Sequence, residues 1–158
     1  MLERLVKQIV ERLEIRNATK LSITHKEMNA DDDRLFIKAK TVRIKGIDRV
    51  FLDLLLSGET NEKQKWLDRA HSYDVEIELE LFDTGEPWLC YEQIAKVGYP
   101  IFSTSGKRLV HIPQNVICYR DVALLKPGST LCKYKKQLTS PLAREDLQKK
   151  QIDIRERV

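Results

Sequence analysis

Cysteine is scarce in this sequence and poorly spaced for chemistry. Three occur in 158 residues, Cys90, Cys118 and Cys132. An odd count without a CxxC pair argues against a disulfide framework or a thiolate zinc site, and points to reduced thiols in the cytosol. Long apolar runs are missing as well. The longest candidate, Val50 to Leu56, is broken by Asp53 and falls far short of the roughly 20 residues needed to cross a bilayer. Met1 is followed by Leu2, Glu3 and Arg4 rather than by a continuous apolar core, so neither a secretory leader nor membrane association is expected. A dominant charge sign is lacking too: 28 Lys and Arg stand against 24 Asp and Glu, for a net charge of +4. That excess, spread along the chain, does not suggest nucleic-acid binding.

What is present begins with a helix. "MLERLVKQIVERLEIRN" brings Leu2, Leu5, Val6, Ile9 and Leu13 within about 100° of one another on a helical wheel, with Val10 at the border. The following "NATKLSITHKEMNADDDR" is polar and rich in turn-forming residues. The expected organisation is therefore an amphipathic docking helix over 1–18, a polar linker over 19–34 and an α/β domain over 35–158. A first helix packed on the domain core would show the same periodicity, and both readings stay open. The stripe also reads as two heptads, so self-association into a homo-oligomer is a further possibility, though two heptads are short for a coiled coil.

Beyond Leu35 the pattern becomes mixed. "RLFIKAKTVRIKGID" alternates at Leu35 and Ile37 and again at Val42 and Ile44, suggesting one or two strands. Helices are expected over "RVFLDLLLSGE" and "TNEKQKWLDRAHSYD", the second capped by Thr60 or Asn61. "VEIELELF" alternates strictly, as a half-exposed strand at or near a sheet edge would. A short helix over Tyr91 to Val97 precedes a hairpin, Ile101 and Phe102 against Leu109, Val110 and Ile112. Last comes a strand–helix–strand crossover: a basic strand from 130, a helix with Ser140 as cap and Pro141 at its first position, and Ile152 and Ile154 alternating with charge. The fold class is α/β: a mixed, partly parallel sheet with flanking helices, preceded by the amphipathic helix.

Several motifs could carry chemistry. "STSGKR" lacks the first glycine of a phosphate loop, since position 101 is Ile, and Arg108 stands where Ser or Thr belongs; it reads as a hairpin turn. Cys118, His111 and Asp121 could form a thiol, base and orienting carboxylate, but no local signature joins them. Asp31, Asp32 and Asp33 lack the alternation and glycine of a calcium loop. His25 and His71 sit in no metal-ligand spacing. "KYKK" over Lys133–Lys136 interleaves an aromatic with lysines, as RNA binders do, and reads better as an exposed sheet edge. No catalytic, cofactor-binding or metal-binding set emerges, so no cofactor is expected.

Three stretches in the same order, the opening helix, "DRAHSYDVEIELEL" and "VICYRDVALLKPGSTLCKYKKQLTSPLARED" with the later "IDI", resemble the PduM family associated with propanediol-utilization bacterial microcompartments. The resemblance covers most of the chain. It implies a non-enzymatic assembly role in the cytoplasm, with shell proteins or encapsulated enzymes as partners, and supplies no catalytic residues. It also sharpens the reading of Leu2, Leu5, Val6, Ile9 and Leu13 as partner contacts in a helix-in-groove mode. The rival reading is a small cofactor- or nucleotide-binding enzyme of the same pathway, because α/β sheets often bind ligands beyond their strand ends.

Overall fold

The computed structural model describes residues 1–83 and 88–158. A long helix α1 (Leu2–Ala18) leads into strand β1 (Lys20–Thr24), a 3-10 turn at His25–Glu27 and a short helix α2 (Arg34–Lys38). Strand β2 (Thr41–Ile47), helices α3 (Arg49–Leu56) and α4 (Glu62–Ser72), strand β3 (Glu76–Leu81) and helix α5 (Tyr91–Lys96) follow. A hairpin, β4 (Ile101–Phe102) and β5 (Arg108–His111), precedes β6 (Val116–Ile117) and α6 (Tyr119–Val122). The C-terminal part comprises β7 (Thr130–Tyr134), β8 (Leu138–Thr139), α7 (Pro141–Lys149) and β9 (Asp153–Arg157).

Seven strands form one sheet in the order β1-β2-β3-β4-β5-β7-β9, while β6 and β8 pair separately. Strands β1 to β4 are mutually parallel, as are β5, β7 and β9; the β4–β5 hairpin between them is antiparallel. The sheet is thus two parallel halves running in opposite directions. A right-handed crossover is the near-universal choice for parallel strands. Strands that reverse direction yet keep advancing the same way across the sheet must therefore place their crossovers on the opposite face. The cores obey this. One cluster, with Ile44, Leu79, Ile101, Leu109 and Cys132 on the sheet, packs against Phe36, Leu52, Trp66 and Leu67. The other, with Leu131 and the flanking Val110, packs against Val122, Ala143 and Leu147. Leu131 lies between Thr130 and Cys132 in β7, so it points to the opposite face from Cys132.

Among the described residues, this arrangement places no helix on the second face of β1–β4. There Arg43 bonds Glu78 at 2.9 Å and lies 3.6 Å from Glu80, Lys20 reaches Glu78 at 2.6 Å, and the Arg43 guanidinium sits 4.0 Å from the Phe102 ring centre. The strict alternation of β3 therefore marks a strand third from the sheet edge, paired with β2 and β4, where a strand at or near the edge was expected. Its glutamates are tolerated because that face carries ion pairs where a helix would otherwise sit.

Other expectations also change. Residues 20–24, within the stretch expected to be linker, pair along their whole length with β2 and form the sheet edge; Leu21 and Ile23 pack on the core. Residues 34–38 are helical where a strand was expected. Leu35 and Ile37 alternate, yet the fully buried residues are Phe36 and Ala39, three apart as on a helix, and Phe36 stacks edge-on against Trp66 at 4.9 Å. Lys133 is not on an exposed edge: β7 lies between β5 and β9, and the Lys133 ammonium donates to the Gln137 carbonyl at 3.0 Å and to Glu156 at 2.8 Å.

The α/β class, the hairpin and the final β7–α7–β9 crossover are as expected. In α7 the Ser140 hydroxyl accepts from the Ala143 amide, and Leu147 is buried in the second core. Replacing Ser140 by Ala should cost about 1 kcal/mol, and Leu147 by Ala roughly 2–5 kcal/mol. Urea titration of each variant against the parent checks both values and their order.

Candidate functional site

The helix α1 ends in a clamp. The Arg16 guanidinium donates to the carbonyls of Phe36 at 3.0 Å and Tyr73 at 2.6 Å, and the Arg16 carbonyl accepts from the Lys40 amide at 3.0 Å. These contacts tie the last turn to the segments entering β2 and β3. The Thr19 hydroxyl donates back to the Ile15 carbonyl, closing the helix. N-terminal to this clamp no residue of α1 is buried. Leu2 is 75% exposed and Ile9 49%, although both belong to the apolar stripe. Leu5, Val6, Val10 and Leu13 are exposed beside them.

A 17-residue helix is about 25 Å long and close to the length at which isolated helices are marginal in water. Covering its stripe would both stabilise it and remove apolar surface from water, at roughly 1.5 to 3 kcal/mol for each aliphatic side chain, less the ordering costs of association. At 100° per residue, Glu3, Glu14 and Lys7 lie beyond the stripe on one side and Arg12 on the other. The helix thus presents an apolar strip with charged margins.

The other candidates are held in structural roles. "STSGKR" is the turn of the β4–β5 hairpin, where the Ser103 hydroxyl accepts from the Lys107 amide at 3.1 Å and Gly106 takes φ +83°, a conformation glycine adopts without strain. The His111 ring bonds the Cys132 carbonyl at 2.7 Å, while Asp121 accepts from the Cys118 amide at 2.7 Å as the cap of α6. The imidazole and the carboxylate are thus each engaged with backbone and not with one another. Asp32 chelates the Arg34 side chain, which pulls its carboxyl down to about 2. Asp33 pairs with Arg69 and accepts from the Tyr73 hydroxyl at 2.8 Å. His71 bonds the Tyr99 hydroxyl at 2.9 Å, and His25 packs edge-on against Phe51. Among the described residues no group of three or more His, Cys, Asp or Glu could hold a metal ion.

One polar cluster escaped the sequence reading because its members are far apart in the chain. Glu92 accepts from the Cys90 thiol at 2.9 Å and from the Tyr134 hydroxyl at 2.6 Å. Beside it, Tyr91 is fully buried, packed against Tyr134 at 5.3 Å and His111 at 5.9 Å, with the Arg157 guanidinium 4.7 Å from its ring centre. This cluster joins α5 to β5, β7 and β9. It reads as a tertiary fastening.

The molecule is therefore an α/β domain bearing a projecting amphipathic helix. The family profile described as putative propanediol utilisation matches residues 4–153, and the chain belongs to that family. It is 28% identical, over 156 residues, to the bacterial microcompartment assembly protein PduM of Salmonella typhimurium strain LT2; the match covers 97% of this chain and 94% of that protein. No solved structure matches.

The Glu92 cluster makes stability depend on acid. The bonds from Cys90 and then Tyr134 hold the Glu92 carboxyl down to about 2 in the folded protein. A carboxyl lowered by folding contributes stability above its unfolded value, near 4.3, and that contribution is lost as pH falls toward the folded value. Tyr134→Phe should therefore flatten the fall in stability between about pH 4.5 and 2 relative to the parent. Parallel slopes in urea titrations across that window would remove the Tyr134–Glu92 bond as a source of acid sensitivity.

Proposed function

We propose that this protein is a non-enzymatic assembly component of a propanediol-utilisation microcompartment in the bacterial cytoplasm, and that residues 1–18 dock it onto a shell or encapsulated protein. The observation that carries this reading is the exposed stripe of Leu2, Leu5, Val6, Ile9 and Leu13 on a helix whose last turn is anchored by Arg16. The likeness to a protein named for microcompartment assembly supports it. Docking is a helix-in-groove event, with aliphatic anchors at helical spacing supplying affinity and the charged margins setting orientation. Because Arg16 fixes the base of the helix, the α/β domain follows wherever the stripe binds.

The test compares fluorescent fusions of the parent and of Val6→Asp/Ile9→Asp in cells induced to build microcompartments. Punctate parent and diffuse variant, with equal thermal melts, are expected, since neither side chain is buried in the domain. Puncta for both would move the docking site onto the α/β domain. A diffuse parent would reject the assembly role.

A further inference from the structure

The sheet ends in two edge strands of opposite character. Four of the five residues of β9 are charged, a common protection of an edge against pairing with another chain. In β1 the one charge is Lys20, there is no proline, and the strand pairs with β2 along its whole length without a bulge. The Thr19 carbonyl accepts from the Thr41 amide at 3.4 Å and so points to β2. Main-chain groups of successive residues in a strand turn to alternate sides. Leu21 and Ile23 therefore also turn to β2, while the N–H and C=O of Lys20, Ser22 and Thr24 open on the free side. The Thr24 amide is held there by the Glu27 carboxylate at 2.7 Å. Leu21 and Ile23 lie half-buried on the first core, and Ser22 is exposed.

We infer that two copies of this chain join edge to edge through β1, antiparallel about a two-fold axis at Ser22, so that their sheets become one. The phase of the main chain selects this register. Outward groups must meet outward groups, and centring the pair on Ser22 is the choice that uses all five residues of the strand. Ser22 of each copy then exchanges N–H and C=O with Ser22 of the other, and Lys20 does the same with Thr24, its carbonyl taking the Thr24 amide over from Glu27. Side chains agree with the backbone. Lys20 meets Thr24 and never its own equivalent, so no like charges are opposed. On the core face Leu21 comes opposite Ile23 in the closely spaced, non-hydrogen-bonded pairs, and the two first cores meet across the boundary. A strand that matches itself under a two-fold rotation is an isologous surface, and the second copy is its natural occupant. In β9 the same operation about the central residue sets Arg155 against Arg155. This contact is separate from the docking of α1 and does not rest on it.

Sedimentation of the purified full chain, read up to about 0.5 mM because so short a strand pair belongs to the weak end of interfaces, should show a dimer that grows no further. Ser22→Pro removes an outward N–H and spares the ladder to β2; Ser22→Lys places two ammonium groups against each other on the axis. Both should be monomeric, and Ser22→Lys should keep the parental melt because the position is exposed; it decides the matter if the proline variant fails to fold. Val6→Asp/Ile9→Asp should dimerise as the parent does. Hydrogen exchange followed residue by residue should show the Ser22 amide slowing as concentration rises, with Leu21 and Ile23 protected throughout. A parent that stays monomeric or grows beyond a dimer would overturn the inference. So would a dimer that survives in Ser22→Lys, that is lost in Val6→Asp/Ile9→Asp, or that leaves the Ser22 amide exchanging freely. Loss of the dimer in Val6→Asp/Ile9→Asp would point to the α1 stripe instead, and the recruitment of that variant to microcompartments is read independently.

Discussion

The reversal of strand direction at the β4–β5 hairpin governs the shape of this protein. Both halves of the sheet are parallel, so both need crossovers, and crossovers have one preferred hand. With the strand direction inverted at Phe102–Arg108, the helices of the first half cover one face and those of the second half the other. Each half consequently has a face that its own crossovers do not cover. On β1–β4 that face is closed by Lys20, Arg43, Glu78 and Glu80 over Phe102. Beyond β5 the first core is extended by α5, whose Tyr91 reaches His111, Tyr134 and Arg157. The polar face and the aromatic fastening are two answers to one topological demand.

The same topology explains why α1 projects. Its last residue lies next to β1, an edge strand, and β1 begins beside the starts of β2 and β3. A helix entering there can fold back onto the sheet or continue away from it. Arg16 donates to two backbone carbonyls at the sheet's N-terminal margin, 20 and 57 residues further along the chain, and fixes the outward course. An arginine suits this role because its planar group offers several donors in fixed directions. The stripe beyond it is exposed.

Much of this was legible in the sequence where the signal was local. The period of α1, the caps at Asn61 and Ser140, the turn around Gly106 and the alternation of Val75 to Leu81 each report a conformation that nearby residues enforce. The misreadings concern what local pattern does not encode. The alternation of β3 says that one face is polar, but an edge strand and an interior strand with an uncovered face produce the same pattern. Lysine at position 133 looks solvent-facing until Glu156 and the Gln137 carbonyl are brought to it from elsewhere in the fold. For β1, two half-buried aliphatics between polar residues suffice because an edge strand needs only one neighbour. The stripe of α1 was visible as a stripe; its exposure came only from the clamp at Arg16.

The distribution of charged and apolar groups separates the residues that hold the fold from those that do not. Arg43, Arg69, Glu92 and Lys133 are engaged in bonds between elements distant in the chain, so altering them disturbs the domain itself. The exposed aliphatics concentrate differently, along α1 and on the outer side of the β6–β8 ribbon. Neither surface contributes its outward side chains to either core. Substitutions at those side chains therefore leave both cores intact.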